Sequence, residues 1–204
     1  MKNERLKIAI QKKGRISEAS LAFLNSIGLR FTPNGHYLIQ KCEDKDIDLI
    51  LLRDDDIPEY VNRGIADFAI IGQNVLLEKQ LNATVIRELD FAKCRLAIAV
   101  PEDSSIKTLN NLEGERIATT YPRLLKEYLT QNNINCAIIP ISGSVEITPE
   151  LNLADAICDV VQTGNTLKAH NLKPLVTILE SKALLITNNV AKNGKQDLKE
   201  LLLK

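Results

Sequence analysis

Ser142 to Leu167 reads SGSVEITPELNLADAICDVVQTGNTL, and the fold turns on how this stretch is divided. Ala156-Ile157-Cys158-Asp159-Val160-Val161 is short, apolar and rich in β-branched residues, which is the composition of a buried strand. Two acids, Asp155 and Asp159, lie four apart along it, a spacing that puts both on one face of a strand. Thr163-Gly164-Asn165-Thr166 follows at once, and Leu167-Lys168-Ala169-His170 begins a helical pattern. A strand, a tight polar turn and a helix start leave backbone N–H groups without intrahelical partners. Such groups, with the helix dipole behind them, hold a phosphate with little help from side-chain cations. Gly164 allows close approach to the backbone, and the hydroxyls of Thr163 and Thr166 add donors. Carboxylates just upstream suit hydrogen bonds from sugar hydroxyls or a share in a divalent cation. A T-G-x-T alone is also an ordinary helix N-cap, and two acids alone are also a solvated strand face. Together they match what a phosphoribosyl group presents, a phosphate beside a polyol.

The chain has 204 residues, 26 basic and 26 acidic side chains, and 45% hydrophobic residues. That length suits one large domain or two small ones with real cores. Zero formal net charge argues against a nucleic-acid partner, which needs a basic footprint. Cys42, Cys94, Cys136 and Cys158 lie far apart without a C-x-x-C pair, as expected of reduced thiols in a cytoplasmic protein. With only His36 and His170, a histidine-based metal site is not expected. No apolar run has membrane-spanning length, and Met1-Lys2-Asn3-Glu4-Arg5 leads into a strand rather than a signal peptide, so no membrane association is expected.

Leu6 to Ile10 is the first predicted strand, ending in the basic run Gln11-Lys12-Lys13-Gly14-Arg15 before a helix that stops at Gly28. Open α/β sheets place ligands at such carboxyl ends. Tyr37–Lys41 and Ile47–Leu52 read as strands, and Arg53-Asp54-Asp55-Asp56-Ile57-Pro58 opens a helix. Its three aspartates resemble a metal site but read mainly as helix capping, with Arg53 the better candidate for function. Gly64 to Gly72 is another turn and buried strand, with a helix beginning near Gln73. Extended segments at Ala83–Leu89 and Lys93–Val100 suggest a crossing into a second lobe. That lobe is expected to hold a helix over Ser105–Leu112, a strand over Arg116–Thr120, a helix opened by Pro122 and a strand over Cys136–Ile141. Val176–Leu179 and Ala183–Ile186 read as strands returning to the first lobe, closed by a helix over Gln196–Leu203. No internal repeat is visible. The pattern predicts two α/β domains with a cleft between them.

Three segments carry a family resemblance: G-S-V-E-x-x-P from Gly143, L-A-D-A-I-C-D-V-V from Leu153, and T-G-x-T-L from Thr163. They resemble the signature of the catalytic subunit of ATP phosphoribosyltransferase, the first enzyme of histidine biosynthesis. The resemblance extends to the K-G-R loop, R-D-x-D-I-P from Arg53 and G-x-x-D-x-x-I-x-G from Gly64. It implies a two-lobed fold like the type II periplasmic binding proteins, with a mixed sheet in each lobe and the active site in the cleft. Residues 1–92 with 181–204 would form lobe I, and residues 93–180 lobe II. It also implies transfer of phosphoribosyl from phosphoribosyl pyrophosphate to N1 of ATP. Catalytic roles fall to Arg15 and Lys13, and ATP contacts to Lys12, Gly14, Arg53 and Asp67. Phosphoribosyl pyrophosphate falls to Glu146, Asp155, Asp159, Thr163, Gly164, Asn165 and Thr166. Mg²⁺ is expected mainly on substrate oxygens, with Asp155 and Asp159 as its protein contacts. A homodimer is implied, together with a hetero-oligomer containing a regulatory subunit like histidyl-tRNA synthetase, because the length matches the short form of the enzyme, although Arg53-Asp54-Asp55-Asp56-Ile57-Pro58 and Ser181-Lys182-Ala183 also resemble long-form chains. With no third domain, the isolated chain is expected to be insensitive to histidine. Relatives carry a basic residue before the second strand where this chain has His36 and Tyr37. Two other readings share parts of this pattern. One is a small-ligand-binding module of the same fold, and the other is a purine or pyrimidine phosphoribosyltransferase with its own acidic strand before T-G-x-T.

Overall fold

Leu6–Gln11 sets the pattern of the first unit: Ile8, Ala9 and Ile10 are all fully buried, so this strand is covered on both faces, as in parallel sheets. The computed structural model describes residues 5–32, 37–190, 192 and 194–204. In chain order its elements are β1 (Leu6–Gln11), α1 (Arg15–Ser26), β2 (Ile39–Lys41), β3 (Ile47–Leu52), α2 (Ile57–Asn62) and β4 (Phe68–Gly72). Then come α3 (Gln73–Glu78), β5 (Thr84–Glu88), β6 (Cys94–Pro101), β7 (Arg116–Thr119), α4 (Pro122–Gln131) and β8 (Ala137–Pro140). The chain ends with β9 (Ala156–Val161), α5 (Asn165–Ala169), β10 (Leu172–Ser181), β11 (Ala183–Thr187) and α6 (Lys195–Leu202). Single 3-10 turns span Leu109–Leu112 and Val145–Ile147.

The chain divides into two compact units, one of residues 1–92 with Lys182–Lys204 and the other Lys93–Ser181. In the first, the sheet runs β2-β3-β1-β4-β11-β5, with β1 parallel to β3 and β4, and β11 antiparallel to β4 and β5. Alternation along β1 separates two cores. Ile8 and Ile10 face Leu24 of α1 and Leu198 and Leu202 of α6, while Ala9 faces Ile57 and Val61 of α2. In the second unit the sheet runs β10-β6-β9-β7-β8. Leu96, Ile98 and Val100 pack against Leu125 and Leu129 of α4, and Ala97 and Ala99 face Leu167 of α5 and Val145.

The two sheets share one plan. In both, the first strand of the unit's parallel set is flanked by the next two, and an antiparallel strand follows: β3-β1-β4-β11-β5 in one, β8-β7-β9-β6-β10 in the other. A short sequence echo goes with it. Asp67 and Asp155 each precede the third parallel strand and accept from the backbone N–H of the strand beside it, Lys7 and Arg116 respectively, both at 2.9 Å. Each aspartate's own N–H returns to that residue's carbonyl, again at 2.9 Å. Ala-Asp before a buried strand is thus a register clamp used twice, a likeness too short to show as a sequence repeat.

Two expectations are corrected. Ser105–Leu112 is not a helix beyond its last turn: the Ser104 hydroxyl accepts from Ile106 N–H, and the Asn111 side chain accepts from Lys107 and Thr108. These side chains take backbone donors into local turns and compete with a helix. Val176–Leu179 does not return to the first unit. It lies inside the ten-residue β10, paired antiparallel to β6, and the crossing falls between Ser181 and Lys182. Register shifts at Pro174/Val176 and Thr177/Leu179 break the alternation that would have revealed its length.

Candidate active site

In the first unit the basic loop is fixed at the carboxyl end of the parallel strands. Gln11 pairs with Leu52, and Lys12 N–H donates to the Leu52 carbonyl at 2.7 Å, which sets Lys12 beside Arg53 on the neighbouring strand end. Gly14 has φ 91 and ψ 179, a left-handed conformation that side chains resist, and its carbonyl accepts the first helical bonds from Ser17 and Glu18. A Cβ there would meet nothing within 4 Å, so backbone conformation and not space demands the glycine. Lys12, Lys13, Arg15 and Arg53 are all exposed, and Arg15 opens the twelve-residue α1. Four cations at strand ends, three of them leading into a helix N-terminus, make a strongly electropositive edge suited to phosphate oxygens. In the Asp54–Asp56 run, Asp56 sits at the N-cap of α2 without a side-chain capping bond, and Asp55 pairs with Lys79 at 3.4 Å. Capping here works through charge and Pro58 alone.

Asp67 does not join this edge. It heads β4, so it lies at the opposite end of the parallel strands, fully buried, with Lys7 N–H and Lys192 as partners. Its geometry is structural, and an ATP contact there does not fit. His36 lies outside the described residues. Tyr37 is exposed just before β2.

In the second unit the carboxyl ends of β7, β8 and β9 bring together a different chemistry. Asp159 lies in the last half of β9, and burial pushes its carboxyl above the usual range. Hydrogen bonds from Val160 N–H and the Thr120 side chain pull against that, while the Glu146 carboxylate adds to it. Glu146 is half-buried in the turn after β8, and Thr120 follows β7. Thr120 was not among the residues singled out from sequence. Its signal was present, a second threonine at the end of the strand R-I-A-T-T just before Tyr121-Pro122. Thr163 and Gly164 form the turn after β9, and Asn165 and Thr166 open α5. Gly164 is left-handed at φ 79 and ψ 1, and no side chain caps the helix, so the exposed Thr163, Asn165 and Thr166 retain polar groups for a ligand. Because α5 has only five residues, the turn's own N–H groups and hydroxyls matter more than its dipole.

Asp155 is the second correction among the acids. It stands before β9, eight residues from the start of the T-G-N-T turn, a separation of about 26 Å along extended chain. Both its oxygens are taken by Arg116, Oδ1 from Nη2 at 2.7 Å and Oδ2 from Nε at 2.9 Å. That guanidinium holds the Asp155 carboxyl at about 2. Spacing placed the two acids on one face, but strand direction sends them to opposite ends. Of the predicted site, the structure thus gathers Glu146, Asp159 and residues 163–166 at one edge, and Lys12 to Arg15 with Arg53 at another.

Two α/β units with the sheet order just described, each carrying polar loops at the carboxyl ends of its parallel strands, define the type II periplasmic-binding-protein class of fold. The alkanesulfonate-binding protein SsuA of Xanthomonas axonopodis pv. citri shares it, with a TM-score of 0.63 at 15% identity over 99% of this chain and 73% of that one. The sequence matches the family described as HisG, ATP phosphoribosyltransferase, over residues 53–204. The chain belongs to the ATP phosphoribosyltransferase family, glycosyltransferases of the first step of histidine biosynthesis. The ATP phosphoribosyltransferase of Maricaulis maris is 44% identical over 199 residues, covering 95% of this chain and 67% of that relative. A chain of the HisG:HisZ ATP phosphoribosyltransferase complex from Thermotoga maritima superposes with a TM-score of 0.81 at 31% identity, over 97% of this chain and 96% of that one. Among the described residues no helix is long and apolar enough to cross a membrane.

Proposed function

We propose that the edge formed by Asp159, Glu146, Thr120 and the 163–166 turn holds phosphoribosyl pyrophosphate for transfer to N1 of ATP. The observation that carries this is the pairing of a desolvated carboxylate with a left-handed glycine turn at the same strand end. The turn's N–H groups, with the Thr163, Asn165 and Thr166 side chains, receive phosphate oxygens; Asp159 and Glu146 accept from ribose hydroxyls. Arg15 and Lys13 stabilise the charge that grows on pyrophosphate as it leaves, and Lys12, Gly14 and Arg53 receive the phosphates of ATP. Adenine N1 carries a lone pair and no proton, so the attack needs orientation and no dedicated general base. Asp155 and Asp67 are not part of this assignment.

The donor set also suits Mg²⁺ carried mainly on substrate phosphates. Asp159 and Glu146 repel one another, and among the described residues no group of three or more His, Cys, Asp or Glu gathers into a cage. Bound there, Mg²⁺ would neutralise charge on the pyrophosphate. The likeness to the Thermotoga complex supports assembly with a regulatory subunit, beside a homodimer, and a cytoplasmic location fits a biosynthetic enzyme of this family. Incubation with ATP, phosphoribosyl pyrophosphate and Mg²⁺, with and without such a subunit, should yield N1-phosphoribosyl-ATP by mass spectrometry. Thr166→Ala should weaken phosphoribosyl pyrophosphate binding by roughly tenfold or more, the loss of one donor to a charged acceptor. Turnover of another base with no ATP adduct would refute the reading.

A further inference from the structure

The residues of this unit assigned to phosphoribosyl pyrophosphate, Asp159, Glu146, Thr120 and 163–166, include two carboxylates and several hydroxyls but no basic side chain, although the ligand carries phosphate at both ends. Among the described residues, three side chains have a sealed polar atom with no hydrogen-bond partner: Asp67, Arg87 and Arg95. Asp67 is compensated by Lys192 at 3.2 Å, and the Arg87 guanidinium lies 5.5 Å from the Phe23 ring centre. For Arg95 the opposite charge at hand is Glu180, its cross-strand neighbour on β10, but no hydrogen bond reaches Nε. Its Nε is closed off from solvent and donates to nothing, while the residue as a whole stays partly exposed.

Its place in the sheet is specific. Arg95 pairs with Val161 across the β6–β9 ladder, so it stands about 5 Å from the last residue of β9, where the chain turns into Gln162-Thr163-Gly164. The pairing is regular down the ladder, with Ala97 opposite Asp159, so Arg95, Val161, Ala97 and Asp159 share one face. That face is the one covered by Leu167 of α5 and by Val145, next to Glu146. Arg95 is therefore a diagonal neighbour of Asp159 on the side where the turn folds back. A desolvated guanidinium N–H without an acceptor is costly and calls for an explanation.

We propose that Arg95 binds a phosphate group of phosphoribosyl pyrophosphate, completing the turn of residues 163–166 with the positive charge that it lacks. The proposal rests on the assignment of that turn to phosphoribosyl pyrophosphate. An arginine fits the task because its planar fork can give two N–H donors to one phosphate while its stem stays packed on the sheet.

The test compares the full chain with Arg95→Met, which keeps the apolar stem, and with Arg95→Lys. Calorimetric titration with phosphoribosyl pyrophosphate and Mg²⁺ should show affinity lowered by roughly ten- to a hundredfold in Arg95→Met, with Arg95→Lys between it and the parent. ATP affinity should be unchanged, and the melting temperature without ligand should not fall, because no native bond is removed. Titrations with ribose 5-phosphate and with pyrophosphate separate the two ends of the ligand: the one whose binding is lost in Arg95→Met identifies the phosphate held. Full affinity for phosphoribosyl pyrophosphate in Arg95→Met, with or without a lower melting temperature, would overturn the proposal. If the parent chain bound ATP but not phosphoribosyl pyrophosphate, the assignment of the turn itself would fall, and Arg95 with it.

Discussion

Replacing Asp155 by asparagine separates a structural acid from a ligand-binding one. In the folded chain Arg116 donates to this carboxylate through Nε, Nη2 and its backbone N–H, and the carboxyl is held at about 2 against an ordinary 3.8. Converted in full, that depression is worth at most ~2.4 kcal/mol. The two side chains remain 30% and 44% exposed, so water screens much of it. A net loss of about 1 kcal/mol is the reasonable expectation for Asp155→Asn, since exposed pairs seldom give more. For a chain of this size that lowers the melting temperature by about 2–4 °C. The pH dependence gives the signature. A carboxyl depressed by folding stabilises fully above its unfolded value and loses that contribution as pH falls toward its folded one. The difference between parent and variant should be constant above about pH 5 and vanish near pH 2. Circular dichroism melts across that range measure it, and calorimetry should find phosphoribosyl pyrophosphate affinity unchanged. An unmoved melting temperature with lost affinity would show Asp155 to be a ligand residue and the clamp to be incidental.

Three further outcomes follow from the site. Asp159→Asn should weaken phosphoribosyl pyrophosphate binding; in the parent, affinity should fall on acidification at a pH above the ordinary carboxylate range, since burial raises this group in the unliganded chain, and a titration insensitive to pH between 4 and 7 would count against it. Gly164→Ala should cost about 1 kcal/mol of stability from the left-handed backbone alone, and Gly164→Val more, because φ 79 is hardest for a β-branched residue; equal melting temperatures for all three chains would remove the strain argument. Arg15→Ala should lower kcat more than it raises either KM, as expected of a cation that gains most when charge develops on the leaving pyrophosphate; raised KM values at normal kcat would make it a ground-state contact.

Much of this architecture was legible in the residues. Ala156–Val161 declares itself as a buried strand because nothing polar interrupts it except Asp159, and Thr163-Gly164 can only be a turn. Lys12 to Arg15 were found because glycine and charge together punctuate the chain after an apolar run. The failures have physical causes. Spacing along a strand reports which face a side chain occupies but not how far it stands from a loop. Asp155, followed by a whole strand, was therefore grouped with a turn that lies at the other end of β9, and Asp67, given an ATP contact by the family resemblance alone, likewise precedes its strand. Arg95 escaped notice because its importance lies in cross-strand register with Val161, a relation between residues 66 apart in sequence. The Ser105–Leu112 helix failed where side-chain acceptors offered backbone donors a nearer partner.

The repeated plan of the two units explains why site and scaffold divide as they do. In each, the amino end of the third parallel strand is fixed by an aspartate that exchanges hydrogen bonds with the backbone of the neighbouring first strand, Asp67 with Lys7 and Asp155 with Arg116. With register secured at that end, the carboxyl ends are free to vary. The first unit places Lys12, Lys13, Arg15 and Arg53 there, and the second places Asp159, Glu146 and a hydroxyl-bearing turn. Two frames alike in their five shared strands thus carry different chemistry at their loop ends, cations on one and carboxylates with hydroxyls on the other. A neutral chain, 26 charges of each sign, therefore carries two strongly polarised edges. Function in this fold depends on where the charges are separated, and net charge conceals it.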